Sequence, residues 1–577
     1  MPAPEIQRIV LIVALAVTGY LLMLAWQEDY GQAPVPTQSA PPVATEGPAE
    51  TPAVPVVDPG IPVAEAPGDM PTDVPDIPLD AEPETVGRLP EVVSDPSLVE
   101  VNTPTMKVWI DPRGGDLVGV HLPRYPVTLD QPDTPFVLLD RRAGHTYVAQ
   151  SGLIGRDGFD ARGERPLYAP DARSYRIDDT PQDVVLRFQD ADVSIEKRFR
   201  FDPEDYYVEL EYRVDNRSSE PFSANLFAQL KRDATSPPGS QMFLGPRPYL
   251  GAALTTLDSR YDKVDFEDLE EETLRETVDG GWIAILQHYF LSAWVADADT
   301  QNVFYGYPNR RGDGTYIVGF TGPGFSVAPG ETGTVGAGFY AGPKHQKRLE
   351  AIAPNLGLTV DYGFLWWLAV PLFYLLDWIH ELIAQNWGVA IILMTLVIKL
   401  ALYPLSAASY KSMAKMRKVA PQMKRLQERH AGDRQRLSQE MMELYKKEKA
   451  NPLGGCLPML LQMPVFIALY WVLYESVELR QAPFFLWIDD LASMDPFFVL
   501  PILMGASMYF QQLLNPPMPD PMQARIMKMM PIMFTVLFLF FPSGLVLYWL
   551  VNNLLSMAQQ WYITYRIEQA DAGAAKA

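Results

Sequence analysis

The sequence predicts a multi-domain membrane protein: an all-α polytopic core, with six transmembrane helices in total, joined to a large all-β sandwich outside the membrane. Three observations carry this expectation. Hydrophobic residues are 48% of the 577 but are concentrated in residues 6–26 and after 361. Between about 101 and 345, short runs such as Val193–Phe201 and Tyr206–Val214 alternate apolar and polar positions, the pattern of strands with one buried face. Finally, Lys399 interrupts an apolar stretch from Trp387 to Leu405 that is long enough to cross a bilayer. A cation near mid-membrane costs at least about 2.5–3.5 kcal/mol on insertion scales, so it marks a polar place inside the membrane.

Composition excludes several classes. The net charge of −23 is carried by the middle of the chain, whereas a nucleic-acid ligand needs a large basic surface, so no nucleic acid is expected to bind. The single cysteine, Cys456, allows neither an internal disulfide nor a cysteine pair for zinc. The six histidines (His121, His145, His288, His345, His380, His430) are scattered without an HExxH, so no metal and no cofactor is expected. No GxSxG, Walker or GxGxxG motif stands in a strand-to-helix setting, so the chain reads as a non-enzyme.

The elements follow in order. Residues 1–30 carry an apolar run, Ile6 to Trp26, of the length that spans about 30 Å of hydrocarbon. A cleavable signal peptide is the rival reading; the run is longer than a typical h-region and lacks a small-x-small site before Gln27, which favours an uncleaved anchor. Residues 31–100 hold 16 prolines, 13 acidic residues and, from the basic side, Arg88 alone. Such a stretch buries too little apolar surface to offset chain entropy and is expected to be a disordered linker. The β domain is assigned to 101–350, with Arg113-Gly114-Gly115-Asp116 as a turn. Residues 361–385 are long enough to span but combine Pro371, Asp377, His380 and Glu381 with three tryptophans, as suits an interfacial amphipathic helix. Spanning candidates follow at about 386–409, 456–477, 496–514, 525–541 and 544–566. The loop between the first two is rich in lysine and arginine from Lys411 to Lys449, which places it in the cytoplasm. With the N-terminus inside, the acidic domain lies outside and 361–385 lies on the membrane. A tail, 567–577, ends the chain in the cytoplasm.

The basic loop, 411–450, reads as a helical hairpin, with Gly432-Asp433 at its tip and Pro421 marking where one helix stops and another begins. Met413, Met416 and Met423 recur at helical spacing on one arm, and Met441 and Met442 lie on the other. They serve either the hairpin's own packing or an adaptable surface for apolar clients.

Several motifs identify a family. Asn451-Pro452-Leu453-Gly454-Gly455-Cys456-Leu457-Pro458, Gln462-Met463-Pro464, the run Ser476 to Phe484, and Phe541-Pro542-Ser543-Gly544-Leu545-Val546-Leu547-Tyr548 closely resemble the Oxa/Alb family of membrane-protein insertases. In the β region, Arg113-Gly114-Gly115-Asp116, Gly281-Trp282 and Gln287-His288-Tyr289-Phe290 resemble its Gram-negative form with a large periplasmic domain, which in that family is a β-supersandwich. The resemblance implies an inner-membrane insertase and chaperone, working alone or with the Sec translocon (SecYEG, SecDF). Its implied partners are nascent membrane proteins and the lipid bilayer; ribosome or signal recognition machinery stays open, although the short tail offers few basic residues for a ribosome.

Carried over by position, the family's groove cation falls on Lys399, where arginine is commoner. Its substrate-facing positions fall on Thr395 and on Trp549, commonly tyrosine, beside Tyr548. Gln462 and Asn552 join the candidates through polarity in apolar helices; ordinary interhelical hydrogen bonding is the competing role. The rival functional class is a proton- or anion-coupled transporter, which predicts inverted repeats and interrupted helices at matching positions, and the sequence offers neither.

Overall fold

The computed structural model describes residues 97–574 apart from 143, 162–163, 238–247, 257–258, 310–313, 431–433, 449–456 and 515–520. The expected N-terminal anchor, nearly all of the linker, the hairpin tip and the Asn451–Cys456 motif lie outside these residues.

The period-two region folds as expected into a large sandwich. Strands from Val99–Asn102 to Thr332–Pro343 form a ten-stranded and a nine-stranded sheet. The pairings are antiparallel apart from Val99–Asn102, which runs parallel to Ser174–Arg176. Val193–Phe201 and Tyr207–Asn216 pair with Phe201 opposite Val208. The apolar half of their alternation, with Ile195, Phe199, Phe201, Leu210 and Val214, meets Leu226, Leu230, Val318 and Phe320 of the other sheet. Burial of these rows from water is the main force holding the sheets together.

One inward position is a lysine. Lys197 follows the same register as Ile195 and Phe199 and is fully buried. Its ammonium donates to the carbonyls of Gly114 (2.9 Å) and Ser151 (3.1 Å). Beside it Arg165, also buried, donates to Asp116 (2.6 Å) and Asp160 (2.9 Å). The Arg113–Asp116 segment is the expected turn, with Gly114 and Gly115 at φ of +76° and +66°. A Cβ on Gly115 would lie 2.7 Å from the Lys197 stem, so glycine serves both the left-handed backbone and the close approach.

The described helices are α1 (Phe266–Glu271), α2 (Gln346–Ile352), α3 (Trp366–Ile379), α4 (Trp387–Ala401), α5 (Tyr403–Arg429), α6 (Arg434–Lys447), α7 (Leu457–Glu475), α8 (Val499–Leu513), α9 (Pro521–Phe538) and α10 (Ser543–Ala574). The Asn386 side chain caps α4 by accepting from the Val389 N–H (3.0 Å). α10 packs against α4, α5 and α8. Among the described residues, the unbroken stretch Gly363–Ala384, of 22 residues, is long and apolar enough to cross a membrane. Trp387–Ala401 with Tyr403–Arg417 qualifies only as a pair, bent by 67°.

Three boundaries differ from expectation. The 386–409 segment is not one straight rod: it turns at Leu402, because Pro404 occupies the first turn of α5, where a missing N–H costs nothing. Pro421, expected to divide two helices, lies inside α5; the proline rule applies, but at the earlier proline. The last helix also continues to Ala574 rather than ending near 566.

The sandwich meets the helices through the end of α7. Arg480 donates to the Pro126 carbonyl (2.6 Å), as does Gln481 (3.0 Å). His288 Nε2–H donates to the Tyr474 carbonyl (3.0 Å), and its ring stacks on Tyr289 and lies tilted against Tyr474. Burial pushes His288 down to about 3, helped by nearby Lys344, so it stays neutral in this contact. His345 bridges Tyr125 (2.8 Å) and Glu478 (3.0 Å).

Candidate functional site

Lys399 lies in the last turn of α4, just before the bend. A lysine near a helix C-terminus complements the exposed carbonyls of that end. The straight-helix reading put it about ten residues, or about 15 Å, from the end of its span; the bend removes that distance. Its ammonium nevertheless turns toward the other helices: it donates to Ser556 Oγ of α10 (2.7 Å) and lies 3.4 Å from Gln462 Oε1 of α7. The Gln462 amide donates to the Tyr548 hydroxyl (2.5 Å), and Ser556 donates to the Asn552 carbonyl (2.7 Å). Three helices thus converge on one cation. Among the described residues, no carboxylate forms an ion pair with it.

The candidates separate into two groups. Lys399, Gln462 and Tyr548 form one hydrogen-bonded chain, with Asn552 joined through its backbone. The Asn552 side-chain oxygen is buried without a partner among the described residues. Thr395 sits one turn before Lys399 but donates to its own helix at Ile391 (2.6 Å). Trp549 turns its ring edge-on to Phe466 at 4.4 Å, and its buried indole N–H has no acceptor among the described residues. Ser556 was missed: a serine in an apolar helix normally bonds back to its own carbonyls. Its only signal was the i, i+4, i+8 spacing from Tyr548 through Asn552.

The hairpin methionines divide likewise. Met413 is buried with Tyr410 against Ile563 of α10. Met423 packs with Val419, Met416, Leu444 and Tyr445, and accepts from the Tyr445 hydroxyl at 3.3 Å. Met441 is half-buried, and only Met442 of the five is largely exposed. Most of this row is used for internal packing.

A lone cation among polar side chains of three apolar helices, with a β sandwich docked on the end of one of them, fits a membrane protein with an extramembrane domain. Residues 378–570 match the family described as 60Kd inner membrane protein, and 98–375 match the YidC periplasmic domain. A membrane protein insertase YidC of Azotobacter vinelandii is 52% identical over 569 residues, covering 98% of this chain and 99% of its own. One of Pseudomonas fluorescens is 52% identical over 575 residues, covering 99% and 100%. A crystal structure of an active YidC insertase aligns with 81% of this chain and 92% of its own, at 19% identity and a TM-score of 0.37. The chain belongs to the YidC family of membrane protein insertases, and its sandwich is the periplasmic domain of an inner-membrane protein.

Proposed function

We propose that the chain inserts and folds integral membrane proteins through a hydrophilic groove, open to cytoplasm and lipid, centred on Lys399. It acts alone or with the Sec translocon. The observation that carries this reading is the Lys399 ammonium, held by Ser556 and Gln462 without a carboxylate partner among the described residues. An uncompensated cation attracts acidic groups on an incoming segment. Each polar group crossing bare hydrocarbon costs several kcal/mol; hydration and hydrogen-bonding side chains lower that barrier while the client's apolar surface moves into lipid, at about 25 cal/mol per Å².

The proposed topology has six spans: the N-terminal segment 6–26, the α4–α5 elbow, and α7, α8, α9 and α10, with both termini and the α5–α6 hairpin in the cytoplasm. α3 and the turn after it lie along the periplasmic surface, although the stretch Gly363–Ala384 that contains them is long enough to cross. Contacts spaced along its polar side support this: Lys347 reaches Asp377 (2.5 Å) and Glu381 (3.1 Å), and the Tyr374 hydroxyl reaches Glu350 (3.1 Å). Asp361, just before this stretch, pairs with Lys263 of the sandwich, so both ends are tied to the periplasmic domain, which favours a helix lying on the surface over one crossing the bilayer. In the hairpin, the exposure of Met442 supports a client-contact role for that residue.

The test is insertion of a small single-span client by the purified chain in liposomes without ATP. Protection of the client's translocated tail from added protease supports the reading; no protection above protein-free liposomes overturns it.

A further inference from the structure

From Ser476 to Phe498, between α7 and α8, the chain is organised by two aspartates. Asp490 accepts from the N–H groups of Gln481 (2.9 Å) and Ala492 (2.8 Å) and from the Ser493 hydroxyl (2.7 Å). Asp495 accepts from the Phe497 N–H (3.0 Å), the Leu500 N–H (2.7 Å) and the Trp487 indole (3.0 Å). The segment is also fastened to its neighbours. Asn386 donates to the Pro483 carbonyl (3.2 Å), and Ser543 donates to the Asp490 carbonyl (2.8 Å). The Phe484 ring lies directly on Gly388 of α4, where a Cβ would collide with it.

The two aspartates turn toward the segment's own backbone, while several large apolar side chains face outward. Leu486 is 86% exposed beside Phe485, and Phe497 is 66% exposed beside Phe498. Leu486 and Phe498 hold φ of +63° and +57°, a left-handed conformation that is strained for a non-glycine residue. Strain kept by surrounding hydrogen bonds points to a built feature, and a surface loop in water normally exposes the opposite set of groups. The surroundings continue the apolar surface. Ile502, Leu503 and Phe510 of α8 are exposed, as are Trp366, Trp367 and Trp378 of α3. The segment after α3 reaches the same end of α4 by stacking His380 on Trp387 at 3.9 Å.

We propose that the α7–α8 segment is a lipid-binding wedge. Phe485, Leu486, Phe497 and Phe498 enter the periplasmic leaflet, about 5–10 Å into the headgroup and acyl boundary, and fix the depth of the periplasmic ends of α4, α7, α8 and α10. The occupant is phospholipid because the tips prolong helix faces that themselves require lipid; exposed Asp489, between the tips, stays among the headgroups. The inference rests on the spanning assignment proposed above.

The test uses the full chain with Cys456→Ser and single cysteines at Leu486, Phe497 or, as a depth control, Ile502. Each is labelled with an environment-sensitive fluorophore and reconstituted into phosphatidylethanolamine–phosphatidylglycerol vesicles containing brominated lipids. Expected are deep quenching at Ile502, shallow quenching at both tips and shielding of the tips from iodide. Lipid quenching at Ile502 with iodide-accessible tips overturns the wedge and leaves the spanning assignment standing. Absence of lipid quenching at Ile502 overturns both. Tips shielded from iodide but untouched by any brominated lipid overturn the wedge in favour of a protein contact. A Leu486→Ser/Phe497→Ser chain should insert clients more slowly at equal amounts of folded protein; an unchanged rate overturns the depth-fixing role.

Discussion

At the scale of single residues, charge and geometry separate at Lys399. Lys399→Arg keeps a cation within reach of Ser556 and should retain insertion. Lys399→Leu should slow a client with an acidic translocated segment about tenfold more than a matched neutral one. That ratio corresponds to about 1.4 kcal/mol, between the water and protein-surface limits for unit charges about 4 Å apart. Equal slowing of both clients would remove electrostatics from the mechanism. Lys197 makes a second prediction, in the periplasmic domain. Burial pushes its ammonium down to about 7, with Asp116 opposing the shift. Above that value the unfolded chain binds more protons here than the folded one, so this residue makes stability rise with pH between about 7 and 10. Lys197→Met should flatten that part of the rise in thermal unfolding, and an unaltered pH profile would contradict a buried, charge-disfavoured lysine. Both residues show where sequence reading stops. Lys399 stood out against its apolar helix, but its partner Ser556 could not, because a serine's partner is set by packing between helices. Lys197 drew no attention in the sequence, because its position in the alternating run does not tell how an inward lysine is satisfied; the carbonyls of Gly114 and Ser151 do.

Among the elements, those with strong periodicity were the most legible. The alternating strands and the apolar helices stand close to where their patterns put them, since each pattern directly encodes a buried face. The misplaced break had a different cause. Pro404 and Pro421 obey the same steric rule, and an isolated sequence does not say which proline opens a helix and which is tolerated inside one. The methionine row was ambiguous because an internal seam and a client surface require the same spacing. Topology is the measurement that matters most here. With Cys456→Ser as background, Arg429→Cys on α5 should react with an impermeant maleimide only from the cytoplasmic side. Trp378→Cys on α3 should react from the periplasmic side. Labelling of position 429 from the periplasm would reverse the orientation and with it the groove's opening.

For the molecule as a whole, the sandwich and the helices meet at a polar junction around the end of α7, the helix that also carries Gln462. The sequence marked His288 and the run containing Arg480 as motifs but gave no sign that they meet, since Pro126, His288 and Arg480 come together only through folding. Deleting residues 40–340 would remove Pro126 and His288 while leaving Lys399, Gln462, Tyr548 and Ser556 in place. Insertion of simple clients should therefore remain measurable. Its complete loss in a stably expressed deletion would give the sandwich a part in the reaction itself. The bend at Leu402 has a mechanical consequence. α5 has 27 residues and is a stiff arm about 40 Å long that leaves the bend three residues after the cation. Tyr410 and Met413 hold its first turns against Ile563 of α10, so a tilt of α5 would pivot beyond them. On about 24 Å of remaining arm, a tilt of about 10° would move the tip by about 4 Å and leave the ammonium in place.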